Sequence, residues 1–585
     1  MKKCKVLLIL ALLLCPFFSC EKDYIKEDTK TTGENNQGDD DTGDGINEDS
    51  NDYILDSSGV INIMLNGSSI SADTDSVVII SGSVATITGA GTYYINGSLS
   101  DGQIIVNSTA EEDIKLVFNN INITCLTSAP LYIMKAEKVI VYLPENTENY
   151  LTDGASYQGV TDNEPNAALY SKSDLSIYGN GSLAVTGNYN DGISSKDGLI
   201  IKSGTISVTS ADDGIRGKDF LYICNGNITV NSGGDGMISD NDADASLGFV
   251  SIDSGTFNLT STGDAISAQT VVEVSDGEFN IVSGGGSSNS AYVASSAKGI
   301  KGLTKVIINS GIININSSDD ALHSNAAIEI NGGTINASSA DDGIHADKSI
   351  ALKDCNFYLS KSYEGIESAS ITIDNSNVSI VSSDDGFNAT QGSAVESNDN
   401  SCLTINSGFI SVNASGGDAL DANGNIVITG GTVVAHGPSS NPEVGLDFNG
   451  TCKISGGKVM ISGPSSNMLQ APSSSSTQNS VVVQLSSTKS ANTIFRISDS
   501  EGNDVVTFAP LRNYQSVILS SPDFVTGNTY TIYTGGTCTG TETDGLYIGG
   551  TYSGGTTYTT FTISSVITTV GSSTSTSPGG SKPGR

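Results

Sequence analysis

Beyond residue 20, the apolar residues of this chain recur at every second position in short segments rather than at helical spacing. Typical segments are SGTISVTS at 203–210, NGNITVNS at 225–232 and GGTINASS at 332–339. Alternation of this kind, with β-branched residues inside and Gly, Asn or Ser at the ends, is typical of half-buried strands joined by tight turns. No stretch keeps an apolar period of 3.6 over a helical length. The pattern therefore predicts an all-β protein.

A short phrase recurs between these segments: an acidic residue, then Gly or Ala, then an aliphatic residue. It reads NDGIS at 190–194, DDGIR at 212–216 and DDALH at 319–323. The small residue of the phrase falls at Gly192, Gly214, Gly236, Ala265, Gly299, Ala321, Gly343, Gly365, Gly386, Ala419 and Gly445. Most steps between these positions are 21 or 22 residues, and the longer steps are 26, 29, 33 and 34.

A period in this range indicates a solenoid. The asparagine-ladder consensus of leucine-rich repeats is missing, and a four-stranded propeller blade needs roughly 40 residues or more. One repeat instead has room for three short strands and three turns, so we predict a parallel β-helix with one coil per repeat. The longer steps are then coils that carry loop insertions.

The period also divides the chain into domains. We assign residues 53–465 to the β-helix, with its first coils and a cap before the acidic phrase begins, because a solenoid needs capped ends. After Pro464 the period fails, and longer strands with hairpin turns predict a small C-terminal β-sandwich over 466–571. The low-complexity tail at 572–585 is predicted to be disordered.

The amino end has the features of an export signal. Lys2, Lys3 and Lys5 precede an apolar run at 6–14 that is too short to span a bilayer. FFSC at 17–20 resembles a lipobox, so we predict a signal peptide at 1–19 and lipidation of Cys20; an ordinary signal peptide containing a cysteine is the alternative. The acidic residues that follow resemble the tag of surface-exported bacterial lipoproteins. We therefore expect a lipid-anchored protein on the surface of the bacterial outer membrane, with no other membrane contact.

Residues 20–52 are rich in Gly, Asn, Asp and Glu and have almost no apolar side chains. Such a segment cannot bury a core, so we predict a disordered acidic linker.

The whole chain has a formal net charge of −37. Nucleic acid is excluded as a partner because phosphate binding needs a basic face. Cations, or anionic polymers bridged by cations, suit this charge, and we expect a monomer.

The acidic phrase predicts a cation site. Coils of a β-helix stack about 4.8 Å apart, so the acids of successive phrases would lie above one another and repel. Clustered carboxylates are hard oxygen ligands that suit Ca²⁺. The candidate ligands are Asp191, Asp212, Asp213, Asp235, Asp264, Asp319, Asp320, Asp341, Asp342, Glu364, Asp384, Asp385 and Asp418. The alternative is a set of solvated aspartates in coil turns, since Asp-Gly is a common turn pair.

Lys298 interrupts the series of acids, in AKGIK at 297–301. It could act as a base beside Ca²⁺ in polysaccharide β-elimination, and it is the one candidate catalytic residue. We favour the simpler interpretation, in which its charge relieves repulsion between acids.

His323 and His345 follow doubled acids one coil apart; they could stack or bind a metal, but we expect histidines in turns that face solvent.

The DDGI and DDAL phrases, the GTISV-type strands and TYYINGSLSDGQIIVNS at 92–108 together resemble a known family. It is the bacterial carbohydrate-binding parallel β-helix family related to family 9 pectate lyases, and the resemblance covers about 60–464. The resemblance implies a right-handed β-helix, several Ca²⁺ ions held by coil aspartates, and binding to acidic pectic polymers or cellulose.

The lyase site itself is only partly matched. The lyases carry DDGFD at their Ca²⁺ site, and here Asp384 to Asn388 read DDGFN, with no lysine immediately behind. The resemblance therefore favours binding over catalysis. Three functions remain open: a surface lipoprotein that binds polysaccharide through a Ca²⁺-loaded β-helix, a Ca²⁺-dependent polysaccharide (pectate) lyase, and a structural adhesin or spacer.

Overall fold

Three parallel sheets wind around a single apolar core in the computed structural model of this protein. The structure describes residues 46–49, 51–55, 59–161, 164–288, 297–392 and 397–571. The predicted signal peptide, Cys20, most of the predicted linker and the tail at 572–585 lie outside the described residues. Within the described residues, no helix is long and apolar enough to cross a membrane. The predicted all-β parallel β-helix is confirmed.

Each coil contributes one strand to each sheet. The first sheet begins with an antiparallel pair and continues in parallel, one strand per coil. Its strands are Val78–Ser81, Val84–Ile87, Gln103–Asn107, Leu131–Lys135, Ala167–Ser171, Asp191–Ser195, Ile215–Gly217, Met237–Ser239, Ile266–Ala268, Ile300–Gly302, Leu322–Ser324, Ile344–Ala346, Ile366–Ser368, Phe387–Ala389 and Leu420–Ala422.

The second and third sheets run beside each other for thirteen coils. The strands of the second sheet are Lys138–Leu143, Asp174–Gly179, Leu199–Ile201, Phe220–Ile223, Phe249–Ile252, Val271–Val274, Lys305–Ile308, Ala327–Ile330, Ser349–Lys353, Ser370–Asp374, Cys402–Ile405, Asn425–Ile428 and Cys452–Ile454. Those of the third sheet are Glu148–Asp153, Ser182–Gly187, Thr205–Ser210, Asn227–Ser232, Thr256–Ser261, Glu278–Ser283, Ile312–Ser317, Thr334–Ser339, Asn356–Leu359, Ser376–Ser382, Gly408–Ala414, Thr432–His436 and Lys458–Gly463.

The period-two pattern of the sequence sets which side chains enter the core. In Thr205–Ser210 the residues are alternately exposed and buried, and the same holds for most strands of the third sheet. Equivalent apolar residues therefore stack from coil to coil, as Phe257 and Phe279 do with ring centroids 4.4 Å apart. This stack of Ile, Val, Leu and Phe forms one continuous core along the solenoid.

The N-terminal end of the solenoid is built from longer strands. Ile61–Gly67 pairs antiparallel with Ile70–Ala72 and parallel with Gly91–Leu99. Ile114–Cys125 pairs with the first strand of the second sheet near its start and with the first strand of the third sheet near its end. The two sheets thus begin from one long strand.

The last part of the predicted linker packs against these early coils. Asp52 is buried and its Oδ2 lies 2.8 Å from Lys138 Nζ, while Glu48 Oε1 lies 2.6 Å from Lys202 Nζ. The Tyr53 ring contacts Tyr178 edge-on, with centroids 5.1 Å apart. At these residues the structure differs from the predicted disordered linker, because the two acids form ion pairs with lysines in or next to strands of the second sheet.

The C-terminal part adds three strands to the large sheet of the solenoid and forms a six-stranded and a two-stranded sheet. A second core packs there and includes Val434 and Met460 of the third sheet. The strands of this part are Ser480–Lys489, Phe495–Ser498, Asp504–Phe508, Tyr514–Ser520, Thr529–Thr534, Thr537–Cys538, Thr541–Thr543, Leu546–Ile548, Tyr552–Ser553, Thr556–Thr562 and Ile567–Gly571. Tyr514–Ser520 pairs antiparallel with the last strand of the third sheet, so one layer of this sandwich continues the solenoid. The imidazole of His436, fully buried, joins the two parts: its Nε2 lies 2.9 Å from the Asp544 carbonyl oxygen, and the Leu511 N–H donates to its Nδ1 at 3.3 Å.

Candidate functional site

The acids of the recurring phrase stack directly above one another, at the start of the first-sheet strands. In each coil the N–H after the acid donates to the carbonyl of the acid in the next coil, as from Gly214 to Asp235 at 2.8 Å and from Gly236 to Asp264 at 2.9 Å. We call this stack the acid ladder. Its members are Asp191, Asp213, Asp235, Asp264, Asp320, Asp342, Glu364, Asp385 and Asp418, with Lys298 between Asp264 and Asp320.

Ladder carboxylates also cap the backbone of the following coil. Asp213 Oδ1 accepts the Asp235 N–H at 2.8 Å, Asp235 Oδ1 accepts the Asp264 N–H at 2.8 Å, and Asp264 Oδ1 accepts the Lys298 N–H at 2.7 Å. The same bond recurs farther along, from the N–H groups of Asp342, Glu364, Asp418 and Val444. Because these bonds draw the carboxylates inward, most ladder acids are buried. They therefore differ from solvated turn aspartates.

The Gly or Ala of the phrase is required by packing in the core. A Cβ on Gly192 would lie 2.2 Å from Val208 Cγ1, and one on Gly214 would lie 2.3 Å from Val230 Cγ1. In the coils where the phrase has Ala321 or Ala419, the aligned residue of the third sheet is also alanine, namely Ala337 or Ala435. A third coil has Ala265 in the phrase but Ile281 at the equivalent position of the third sheet, so a small third-sheet residue accompanies the alanine in two of these three coils.

Burial and crowding change the charge state of several ladder acids. Burial raises the pKa of Asp191 to about 7, although the charge of Arg216 acts in the opposite direction. Burial, with the charges of Asp264 and Asp213, raises the pKa of Asp235 to about 7. Burial also raises the pKa of Asp342, and Asp320 and Glu364 add to this effect. A ladder without cations therefore holds protons that ordinary carboxylates would release.

Basic side chains relieve part of this repulsion. Arg216 forms ion pairs with Asp213 and, at 3.5 Å, with Asp191, and its Nη1 lies 2.8 Å from Asp240 Oδ2. Lys301 Nζ lies 3.0 Å from Asp264 Oδ2. These partners project from the outer face of the first sheet, beside the ladder.

Lys298 is held as a cation. Its Nζ lies 2.7 Å from Asp319 Oδ2 and 3.2 Å from Asp320 Oδ2. Burial alone would lower its pKa, but the charges of Asp320 and Asp319 raise it. A general base must be neutral at its working pH, so this geometry suits charge relief and not proton abstraction.

His323 and His345 lie in first-sheet strands, so the expectation of solvent-facing turn histidines was wrong. His323 Nδ1 lies 2.8 Å from Asp320 Oδ2, and the two imidazole rings meet edge-on with centroids 5.1 Å apart. Although burial would raise it, the hydrogen bond from His323 and the charge of Lys298 lower the pKa of Asp320. Burial lowers the pKa of His345.

The first acid of each doubled pair lies one residue before the ladder. A Cβ on Gly234 would lie 2.4 Å from Asp212 Oδ1 and 2.5 Å from Asp213 Oδ1, so two carboxylates converge on the space that this glycine leaves. Gly417 has the same relation to Asp384 and Asp385. The other members, Asp319 and Asp341, lie beside Asp320, with carboxylate oxygens within 4.8 Å of one another.

Residues of the outer face add groups that the sequence analysis did not select. Asp421 and Asp447 lie with Asp418, their carboxylate oxygens within 4.8 Å of one another. Glu367 is hydrogen bonded to Glu364, whose pKa is raised by burial and by this neighbour. Asn388 donates to Glu364 Oε2 at 2.9 Å. All four directly follow the apolar residue of the phrase, which is Phe387 in the case of Asn388. The fourth position of each phrase was therefore the signal in the sequence.

Comparisons with known proteins find a family model and relatives that match part of the chain. Residues 81–343 match a family model described as "Carbohydrate-binding domain-containing protein". A curated protein of that description from Acetivibrio thermocellus is 39% identical over 156 residues, which are 26% of this chain and 54% of the relative. The chain thus spans about half the length of the curated relative that it matches.

Among solved structures, the chain is similar to "the polysaccharide lyase-like protein from C. thermocellum, Gadolinium derivative". The identity is 27%, the TM-score is 0.36, and the match covers 50% of this chain and 96% of the other. Over residues 81–343, this chain is similar to carbohydrate-binding domain-containing proteins.

Proposed function

We propose that this protein is a surface lipoprotein that binds polysaccharide through a β-helix whose acid ladder carries Ca²⁺. The match of residues 81–343 to carbohydrate-binding domain-containing proteins supports the carbohydrate ligand. The Ca²⁺ part is carried by one observation, the convergence of Asp418, Asp421 and Asp447. The two parts are separable, and each has its own test.

The donor set at Asp418, Asp421 and Asp447 fits Ca²⁺. Each of the three carboxylates places one oxygen within 4.8 Å of the others. Ca²⁺ takes six to eight oxygen ligands in flexible geometry, so further oxygens from the backbone, water or a ligand would complete its coordination. The other candidate groups suit Ca²⁺ less well. One includes His323 and His345, and the group of Asp319, Asp320 and Asp341 lies against the Lys298 ammonium. When bound, Ca²⁺ would neutralise part of the ladder and present open coordination positions to a ligand.

An acidic polysaccharide is the ligand class that this arrangement favours. A chain with a net charge of −37 repels a polyanion at long range. Ca²⁺ held by the ladder would bridge sugar carboxylates to protein carboxylates, as in a pectic polymer. A cellulose-like glycan is the alternative ligand, because it needs no such bridge.

Attachment to the outer membrane surface depends on Cys20. We propose that Cys20 is acylated and that the acidic segment after it separates the solenoid from the membrane. A Cys20→Ala variant is expected to leave the membrane fraction. Continued fractionation of that variant with membranes would contradict this part.

No geometry in the described residues favours the lyase function over binding. A lyase needs a neutral base beside the metal, and Lys298, the candidate taken from the sequence, is an ion-paired cation. A structural adhesin or spacer would share the Ca²⁺ dependence but bind no glycan. The three functions therefore differ in two measurements, glycan binding and release of unsaturated sugars.

The deciding experiment is a glycan array with the full-length protein, read with millimolar Ca²⁺ and with chelator. The absorbance of unsaturated uronates is followed in parallel on polygalacturonate. Binding of acidic glycans is expected only with Ca²⁺, without a rise in absorbance. Absorbance that grows steadily and disappears in Lys298→Ala would establish the lyase instead. Absence of binding to every glycan would favour the spacer.

Two double variants test whether the Ca²⁺-dependent glycan binding depends on the site at Asp418. Asp418→Asn with Asp421→Asn should abolish the Ca²⁺-dependent binding, because it removes two of three ligands. Glu111→Gln with Glu112→Gln is the matched control, since these adjacent acids are exposed and lie outside the phrase. Equal behaviour of the two variants would contradict a site at Asp418.

A further inference from the structure

A groove on the third sheet carries four stacked asparagines. Asn258, Asn280, Asn314 and Asn336 occupy the same outward position of four consecutive coils. Their side chains form a chain of hydrogen bonds, with Nδ2 of each donating to Oδ1 of the preceding one at 3.2, 3.1 and 2.9 Å. We call these four residues the amide row. At about 4.8 Å per coil the row is roughly 14 Å long.

The amide row lies along a groove of about 370 Å³. The groove floor includes Leu259, Ile281 and Ile315, and a second outward row contributes Thr260, Val282 and Asn316. Ser287, four residues after the end of the strand Glu278–Ser283, lies at that side, and its N–H donates to Asn316 Oδ1 at 2.8 Å. Among the described residues, none that lines the groove is charged.

The hydrogen bonds within the amide row leave hydrogen-bond donors and acceptors unused in each of its four coils. An amide has two N–H donors and an oxygen with two lone pairs. The contact to a neighbouring asparagine uses one N–H and one lone pair, so each inner amide retains one donor and one acceptor. These groups face outward at a regular spacing, and neutral sugars carry hydroxyl groups that both donate and accept.

A ring and an aliphatic side chain extend this surface. Tyr358 occupies the same outward position in the coil after Asn336 and is 43% exposed. Ile312 lies two residues before Asn314 in the same strand and is 53% exposed. An aromatic face gives apolar contact area at low entropic cost beside polar contacts. The combination of amides with one exposed ring suits a sugar, which has apolar and polar faces.

We propose that this groove binds a neutral polysaccharide chain that runs along the solenoid axis, over the amide row. An anionic polymer is disfavoured because none of the described residues that line the groove is basic and the protein is strongly acidic. An extended chain is favoured because the donors and acceptors repeat in one direction. The whole row lies within residues 81–343, the segment similar to carbohydrate-binding domain-containing proteins. The proposal rests on the carbohydrate part of the proposed function and is independent of its Ca²⁺ part.

Affinity electrophoresis in chelator tests the groove separately from the acid ladder. The full-length protein is run in gels containing hydroxyethylcellulose, xyloglucan or galactomannan, with EDTA throughout. Retardation by at least one of these neutral polymers is expected. Asn280→Ala with Asn314→Ala should weaken the apparent affinity about tenfold to a hundredfold, because it removes two side chains that each make hydrogen bonds.

Asn309→Ala with Asn331→Ala is the matched control. These two asparagines also stack one coil apart, with Nδ2 of Asn331 donating to Oδ1 of Asn309 at 3.0 Å, but they lie outside the groove. The control should bind as the wild type does. Thr260→Tyr provides a second variant that fills the groove without breaking the amide row, and it should also lose binding.

Several outcomes would overturn the proposal. These are no retardation of the wild type by any neutral polymer in EDTA, unchanged binding by both groove variants, and equal loss in the control. Failure here together with Ca²⁺-dependent binding of acidic glycans would leave the proposed function intact. Binding in EDTA that is lost only in the groove variants would support the groove even if the Ca²⁺ part fails.

Discussion

Two faces of the same solenoid repeat one polar residue per coil, with opposite results. On the first sheet the repeated carboxylates turn inward and most are buried. On the third sheet the repeated amides stay outward and bond to one another. An amide donates and accepts, so a stack of amides satisfies itself. A carboxylate only accepts, so most ladder acids accept the backbone N–H of the next coil instead.

This difference assigns different tasks to the two faces. The ladder acids hold adjacent coils together, and their repulsion requires protons, basic neighbours or metal ions. The amide row needs no such compensation and keeps unused donors and acceptors for a ligand. We therefore expect substitutions on the first face to change mainly stability and Ca²⁺ response, and substitutions on the second face to change mainly the binding of neutral glycans.

The largest expected contrast is in the pH dependence of stability in the absence of Ca²⁺. The pKa values of Asp191 and Asp235 are raised to about 7, whereas an unfolded aspartate titrates near 3.9. Between these values the folded protein binds more protons than the unfolded chain. Stability should therefore fall as pH rises from about 4 to 7, by up to about 1.4 kcal/mol per pH unit for each carboxyl.

Calorimetric melts in EDTA between pH 4.5 and 8 would measure this slope. Asp191→Asn with Asp235→Asn should flatten it, because the amide keeps an acceptor and cannot ionise. Asn280→Ala should leave the slope unchanged. A melting temperature that rises with pH over this interval would show that the ladder acids are ionised in the folded state.

The next contrast is between single truncations on the two faces. Asp213→Ala removes the acceptor of the Asp235 N–H and one of the three carboxylates that pair with Arg216, leaving Asp191 and Asp240. We expect a loss of about 3 kcal/mol in the free energy of unfolding, compared with about 1 kcal/mol or less for Asn280→Ala. Denaturant unfolding of both variants measures the difference. Asp213→Asn should lie between them, and equal losses at the two positions would contradict the structural role of the ladder.

Much of the first face could be predicted from the sequence, because its residue types are distinctive and recur at a fixed spacing. An acid followed by Gly or Ala recurs at coil spacing, and stacking then follows from the period. The choice of Ala over Gly at 265, 321 and 419 could not be predicted, because the equivalent third-sheet residue is Ala337 or Ala435 in two of these coils but Ile281 in the other. Asp447 was missed because its phrase, VGLD, has Val444 at the ladder position.

The second face was not predicted, because its residues give a weak signal. Asn, Thr and Ser occur throughout this chain in turns as well as strands. Only the register of the third sheet shows that Asn258, Asn280, Asn314 and Asn336 share one position, and loop insertions hide that register in the sequence. The acids at 48 and 52 were assigned to a linker for a related reason: their partners Lys202 and Lys138 are distant in sequence.

A smaller effect is expected from Ca²⁺ itself. Ligand binding to the folded state should raise the free energy of unfolding by about 2.7 kcal/mol when free Ca²⁺ exceeds its Kd a hundredfold. Melts with Ca²⁺ and with EDTA measure this shift, which Asp418→Asn with Asp421→Asn should remove and Glu111→Gln with Glu112→Gln should retain. Asn280→Ala with Asn314→Ala should show the wild-type shift. An identical melting temperature with and without Ca²⁺ would show that protons and basic side chains suffice.

The smallest expected effect is the response of the amide row to salt. Ions screen exposed charges, and the Debye length falls from about 10 Å at 0.1 M to about 3 Å at 1 M. A neutral glycan carries no charge to screen, and none of the described residues that line the groove is charged. Its apparent Kd in EDTA should therefore change by less than about twofold, or about 0.4 kcal/mol, over this range of salt.

Glu278 tests whether a charge close to the amide row affects binding, because this exposed acid lies two residues before Asn280 in the same strand. Glu278→Gln should also leave the Kd within about twofold, whereas Ca²⁺-bridged binding of polygalacturonate should weaken markedly with salt. A Kd for the neutral glycan that moves tenfold with salt or with Glu278→Gln would mean that charge takes part in recognition, and the contrast between the two faces would fail.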